Sequence, residues 1–220
     1  MRQPLIISTR ILEQEHRAIW CNSAVRVVEY DFITVNPIAF TLDEVYDYVL
    51  FTSQNAVKSV LNHVEVHALK EKPAFCVGVK TKALLEQNGW EVLEWADYAK
   101  ELAPILTSKY SKVQLSFFNG NLRSVVLPTA FTASSMVFNE FQVYETEITP
   151  ARVEDKADGI CFYSPSGVQS YLKKNSITDE VCFCIGDTTA EALKDITNRI
   201  VLAAQPTIEK TLEACIAYYK

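Results

Sequence analysis

"ICFYSPSGVQSYL", Ile160 to Leu172, and "VLFTSQNAVKSVL", Val49 to Leu61, decide how this chain folds. Each opens as a continuous apolar run of strand length, the pattern of a parallel strand buried on both faces. Each then breaks into hydroxyl and amide residues and resumes with helical spacing. At an offset of 111 positions, Phe51, Ser53, Val57, Ser59 and Leu61 fall on Phe162, Ser164, Val168, Ser170 and Leu172. A second pair follows, "AFCVGVKTKALL" from Ala74 and "CFCIGDTTAEAL" from Cys182. At an offset of 108, Phe75, Cys76, Gly78, Thr81 and Leu85 fall on Phe183, Cys184, Gly186, Thr189 and Leu193. Two ordered blocks repeating together mean two structurally similar halves.

The halves are not laid end to end. The first copy is followed by a further strand, Val113 to Phe118, but only about 20 residues follow the second copy, and they read as a helix. The missing strand has its counterpart at the other end of the chain, in Leu5 to Thr9. The expected architecture is therefore α/β: two similar parallel-sheet domains, the first discontinuous, joined by a two-stranded antiparallel hinge. The expected boundaries are 1–34 with 149–220 for domain 1, 38–140 for the inserted domain 2, and 30–37 with 141–148 for the hinge. A ligand cleft is expected between the two domains.

Between these landmarks, one long β segment is expected over Arg26 to Val35. A helix after Thr52 carries Val57, Val60, Leu61 and Val64 on one stripe, with His63 and His67 sharing a face. Asn88-Gly89 ends another helix.

Composition narrows the chemistry. The chain has 220 residues and a formal net charge of −6, which disfavours a sequence-independent grip on nucleic acid. Cysteines 21, 76, 161, 182, 184 and 215 follow no secretory leader, and most sit in strand-like runs. They read as core thiols of a reducing compartment. No run is long enough to span a membrane. No G-x-G-x-x-G, G-x-x-x-x-G-K-[ST] or G-x-S-x-G occurs, so nicotinamide, nucleotide and serine-hydrolase chemistry lack support.

The chemistry on offer sits in the turns. Thr52 to Asn55, Gly78 to Thr81, Ser164 to Gly167 and Gly186 to Thr189 each lie where a parallel strand ends and a helix begins. Ligands of parallel sheets bind there, and the free N–H groups of a first helical turn attract anions. Ser53, Asn55, Thr81, Ser164, Ser166, Gly167, Thr188 and Thr189 are the candidate anion-binding residues, with Arg10 and Arg123 as candidate cations. Each hydroxyl also suits an ordinary N-cap.

"FTSQNAV", "FYSPSGV" and "IGDTTAEAL", with "STR" at Ser8 to Arg10, "VGVKTKAL", "VYET" at Val143 to Thr146 and "AAQPTIEKTL", resemble in order and spacing the uroporphyrinogen-III synthase family. The chain departs from that pattern at Ile11, at Asn119-Gly120 and at Asp187. The resemblance implies a cofactor-independent cyclising hydro-lyase of haem biosynthesis. Its substrate would be hydroxymethylbilane, a linear tetrapyrrole with eight carboxylates. Its product would be uroporphyrinogen III, with ring D inverted and water lost. Tyr144, in "VYET", matches the family tyrosine and is the candidate catalytic donor. With the expected cleft inside one chain, a monomer is expected, cytoplasmic and without metal, nucleic acid or membrane partner, and hydroxymethylbilane synthase would be its transient donor. The alternative is a non-catalytic two-domain binding protein for an anionic metabolite or tetrapyrrole.

Overall fold

A computed structural model describes residues 2–21 and 23–220. Met1 and Asn22, both within the expected 1–34 segment, lie outside the described residues. The chain divides into two compact units, Met1–Thr34 with Glu147–Lys220, and Val35–Thr146.

In the first unit, β1 (Leu5–Ser8), α1 (Gln14–Trp20) and β2 (Arg26–Glu29) come from the start of the chain. The second unit begins at the crossing strand β3 (Ile33–Pro37). It continues through β4 (Tyr48–Phe51), α2 (Gln54–Leu61), α3 (Val66–Lys70), β5 (Ala74–Val77), α4 (Val79–Gln87), β6 (Val92–Ala96) and α5 (Ala99–Lys109). It closes with β7 (Gln114–Gly120), α6 (Val126–Ala133) and the long crossing strand β8 (Val137–Ile148). The chain then completes the first unit with β9 (Gly159–Phe162), α7 (Pro165–Leu172), β10 (Val181–Cys184), α8 (Asp187–Glu191), β11 (Ile200–Leu202) and α9 (Ile208–Tyr218).

One sheet has the order β11-β10-β9-β1-β2 and the other β3-β8-β7-β4-β5-β6. The repeat survives at the level of register. Val49, Leu50 and Phe51 pair with Ala74, Phe75 and Cys76, all parallel, and their counterparts Ile160, Cys161 and Phe162 pair with Cys182, Phe183 and Cys184. β1 occupies the place beside β9 that β7 occupies beside β4, again parallel. These strands are buried on both faces, which explains their unbroken apolar sequence.

Each sheet has a core on either side. Phe51, Val57, Cys76 and Phe118 pack on one face of the second sheet; Leu50, Phe75, Leu106 and Phe117 pack on the other. In the first unit, Phe162, Val168, Cys182 and Cys184 pack on one face, and Cys161, Phe183, Leu212 and Cys215 on the other. All six cysteines are free, and all but Cys21 are buried. Burial pushes the Cys76, Cys182 and Cys184 thiols up to about 12, so they remain protonated packing groups.

Three local expectations give way. The β segment expected over 26–35 is two strands in different sheets, because the chain turns at Tyr30 to Phe32, where Phe32 inserts fully into the core. The helix α2 stops at Leu61 with Asn62 as its C-cap, leaving Val64 89% exposed and outside the apolar stripe. His63 therefore precedes α3 rather than sharing a helix with His67, and its ring stacks on Phe40 at 4.6 Å. β3 does lie beside β8. Ile38 N–H donates to the Val143 carbonyl, and Thr149 N–H to the Phe32 carbonyl, the opposed order of an antiparallel pair.

Candidate functional site

Parallel strands put all their carboxyl ends on one edge of a sheet, so each unit collects its turns along one rim. In the first unit the rim is built on β1 and β9. Ser164 caps α7, its Oγ accepting from Gly167 N–H at 3.0 Å and lying 3.0 Å from Ser166 Oγ. Pro165 occupies the first helical turn, where its missing N–H loses nothing. Gly167 is buried because the neighbouring turn presses on it: a Cβ there would meet Ser164 Oγ at 3.3 Å and Thr9 Oγ1 at 3.6 Å. Thr9 in turn donates its hydroxyl to the Cys161 carbonyl at 2.8 Å. Ser8 Oγ donates to the Arg10 carbonyl at 2.6 Å and lies 3.3 Å from the Tyr163 hydroxyl. Burial pushes that phenol well above its ordinary value, so it is a neutral structural group. Thr9, Ser164, Ser166 and Gly167 thus form one contiguous patch of small polar groups. Arg10 is exposed beside it, and no ion pair engages its guanidinium among the described residues.

The second unit repeats the plan. Ser53 caps α2 and accepts from Asn55 N–H at 3.1 Å, with both side chains half-buried at the end of β4. Gly78 turns the chain into α4 at φ 90°, a conformation that side chains resist. On the same rim, at the end of β7 and facing it from β8, lie Asn119, Gly120 and Tyr144. The parallel pairing of β7 with β8 runs Asn119 to Gln142 and then Gly120 to Tyr144, skipping Val143. That bulge lets Val143 and Tyr144, adjacent in sequence, both pack against the same core cluster. The Tyr144 ring lies over Gly120, and its hydroxyl has no hydrogen-bond partner among the described residues.

Not every expected residue is accessible on its rim. Thr81 is 4% exposed and Thr189 1%, and the Thr189 hydroxyl is buried without a partner. Their sequence neighbours in the repeat, Ser59 and Ser170, are also buried. Small residues at these matched positions serve helix packing, α2 on α4 and α7 on α8. Thr188 is exposed one residue away. Arg123 is not a free cation: its guanidinium forks onto Glu140, Nη2 to Oε1 at 2.7 Å and Nε to Oε2, while Asn119 donates to the same carboxylate at 2.7 Å. Sequence reasoning missed Thr9, Gly120 and Asn121. Thr9 stood in view inside "STR"; the other two depend on a bulge that no residue pattern announces.

Two α/β units, each ending its central parallel strand in a serine-capped turn into a helix, define a class of paired parallel-sheet proteins. The model of the uroporphyrinogen-III synthase HemD family matches residues 18–213, and the chain belongs to that family of haem-biosynthesis enzymes. Uroporphyrinogen-III synthetase from Helicobacter pylori superposes with a TM-score of 0.70 at 20% identity, covering 99% of this chain and 100% of that one. A mutant uroporphyrinogen III synthase from the extremely thermophilic bacterium Thermus thermophilus gives 0.70 at 13% identity, with 96% of each chain covered. The wild-type Thermus enzyme in a second crystal form gives 0.54 at 14%, with 97% of each covered. These likenesses show the shared fold. No curated protein matches the chain significantly in sequence. No helix among the described residues is long and apolar enough to cross a membrane.

Proposed function

We propose that the chain is a cofactor-independent, cyclising hydro-lyase that converts hydroxymethylbilane to uroporphyrinogen III. The observation that carries this reading is the matched pair of capped turns, Ser53 to Asn55 after β4 and Ser164 to Gly167 after β9, on a chain of this family. Each turn offers N–H and hydroxyl donors of the kind a carboxylate accepts.

The chemistry asks for little beyond orientation. The pyrrole nitrogen expels the terminal hydroxyl, which departs as water after gaining a proton, and leaves an azafulvene cation. Unaided closure joins the nearest free carbon and gives isomer I. The substituted carbon of ring D must attack first, forming a spiro intermediate that reopens with the ring inverted. A proton lost from the ring carbon at closure balances the one that left with water. Holding two chain ends in one geometry contributes roughly 7 kcal/mol or more. Tyr144, with its hydroxyl free of protein partners, donates to the leaving hydroxyl. Arg10 and Thr188, both exposed on the first rim, complete the carboxylate contacts. The protein works as a cytoplasmic monomer and receives its labile substrate from hydroxymethylbilane synthase. With a net charge of −6, attraction for the substrate is local, so added salt weakens binding only modestly.

The test generates hydroxymethylbilane in situ, adds the protein, quenches, oxidises, and separates the uroporphyrin I and III isomers. Dominant isomer III, above a protein-free control, is expected. Isomer I alone from folded protein would overturn the enzymatic reading.

A further inference from the structure

The segment Asn119 to Arg123 is bonded to β8 at every second residue. Asn119 donates to Glu140 at 2.7 Å, and Arg123 forks onto the same carboxylate. Between them, Asn121 pairs side chain to backbone with Thr146: its Oδ1 accepts from Thr146 N–H at 2.8 Å and its Nδ2 donates to the Thr146 carbonyl at 3.2 Å. Asn121 is exposed, so this pair is not needed to satisfy a buried group. It fixes the backbone two residues beyond Tyr144. Gly120 sits at the centre of this frame, opposite Tyr144 across the bulge. A Cβ there would fall 2.9 Å from Tyr144 Cδ2 and closer still to Cε2 and Cζ. The ring occupies the volume that any other residue's Cβ would fill, the close approach for which glycine is used in strands.

From this geometry we infer that Gly120 and Asn121 are positioning residues for the Tyr144 hydroxyl. Gly120 is the floor that lets the ring lie flat against β7, and Asn121 is the clamp that holds the strand carrying it. Arg123 belongs to the same frame through Glu140 and acts on the substrate only through it. The inference rests on Tyr144 serving the leaving hydroxyl, as proposed above. It also explains a feature with no packing rationale: an exposed asparagine making two bonds to one strand residue.

A double-mutant cycle tests it. Gly120→Ala, Asn121→Ala, Tyr144→Phe and the two doubles with Tyr144→Phe are compared for kcat, KM, isomer ratio and thermal midpoint. Tyr144→Phe is expected to lower kcat about tenfold or more, with KM little changed. Gly120→Ala is expected to lower kcat by a comparable factor while melting within a few degrees of wild type, because the ring swings aside. Asn121→Ala is expected to give a smaller loss of kcat, still without a change in KM. In the Tyr144→Phe background neither substitution should slow the reaction further. Losses that multiply in the doubles, or wild-type kcat in both single variants beside a slow Tyr144→Phe, would overturn the inference alone. Wild-type kcat in Tyr144→Phe would remove the role of the hydroxyl and the inference with it. Should Gly120→Ala fail to fold, the Asn121→Ala pair decides by the same criterion.

Discussion

At the scale of single residues, a hydroxyl at a strand end has two uses, and the structure separates them. Ser53 and Ser164 accept from backbone N–H groups two and three residues on, yet their side chains stay half-exposed on the rim. Ser164→Ala should therefore do two things. Loss of the cap should lower stability by about 1 kcal/mol, read from the urea midpoint. It should also raise KM for hydroxymethylbilane, because Gly167 N–H and Ser166 lose the partner that aims them. A KM equal to wild type in a destabilised variant would reduce Ser164 to a cap alone. The sequence showed these two residues plainly, since an apolar run followed by a Ser four residues before a helical stripe has few other readings. It could not sort Thr81 and Thr189 from them. A buried threonine and a rim threonine look alike until the helix beneath is in place. Nor could it show that Arg123 is spent on Glu140, because that pair joins the turn after β7 to β8, 17 residues on, and forms only once the two strands lie side by side.

At the scale of elements, the β1 rim is held to β2 by charge. Arg17 on α1 forks onto Glu29 at the end of β2, and Glu29 also accepts from Leu12 N–H at 3.1 Å. Burial pushes the Glu29 carboxyl up, but the Arg17 hydrogen bonds, the Leu12 N–H and the Arg17 charge together outweigh it and hold it below its ordinary 4.5. Folding thus favours the ionised carboxylate. The stabilisation is present above pH 4.5 and fades as pH falls through the lower folded value. Arg17→Met should be less stable than wild type at pH 7, and the gap should shrink on acidification below about 4. Urea midpoints at pH 7 and pH 3 measure it; an undiminished gap would show that Arg17 acts through packing instead. Strand and helix order were legible in the alternation of apolar runs and stripes. The break at Tyr30 to Phe32 was not, because β-prone residues continue straight through it. What divides β2 from β3 is burial of Phe32, a property of the assembled core.

At the scale of the whole molecule, the two units differ in how the chain supplies them. The second is one uninterrupted segment with cores on both faces of its sheet. The first takes β1 and β2 from one end of the chain and places β1 directly against β9 from the other. A fragment spanning 35–146 should therefore fold alone, with helical circular dichroism and a cooperative melt. A fragment spanning 147–220 should not, because removing β1 exposes the apolar edge of β9. Cooperative melting of that shorter fragment would contradict this account. The discontinuity was deducible from the count of strands in each repeat, which came out one short at the end and one over at the start.

Arg2 and Leu5, near one end of the chain, both bond Asp158 through its carboxylate, and Tyr219, near the other, donates its hydroxyl to the Asp158 carbonyl at 2.7 Å. In the second unit the corresponding passage, α5 into β7, is covalent. The first unit is thus a circular permutation of the second, opened where its twin is sewn shut. In element order, the strand–helix–strand run that closes the second unit, β7 to β8, stands at the head of the first, as β1 to β2.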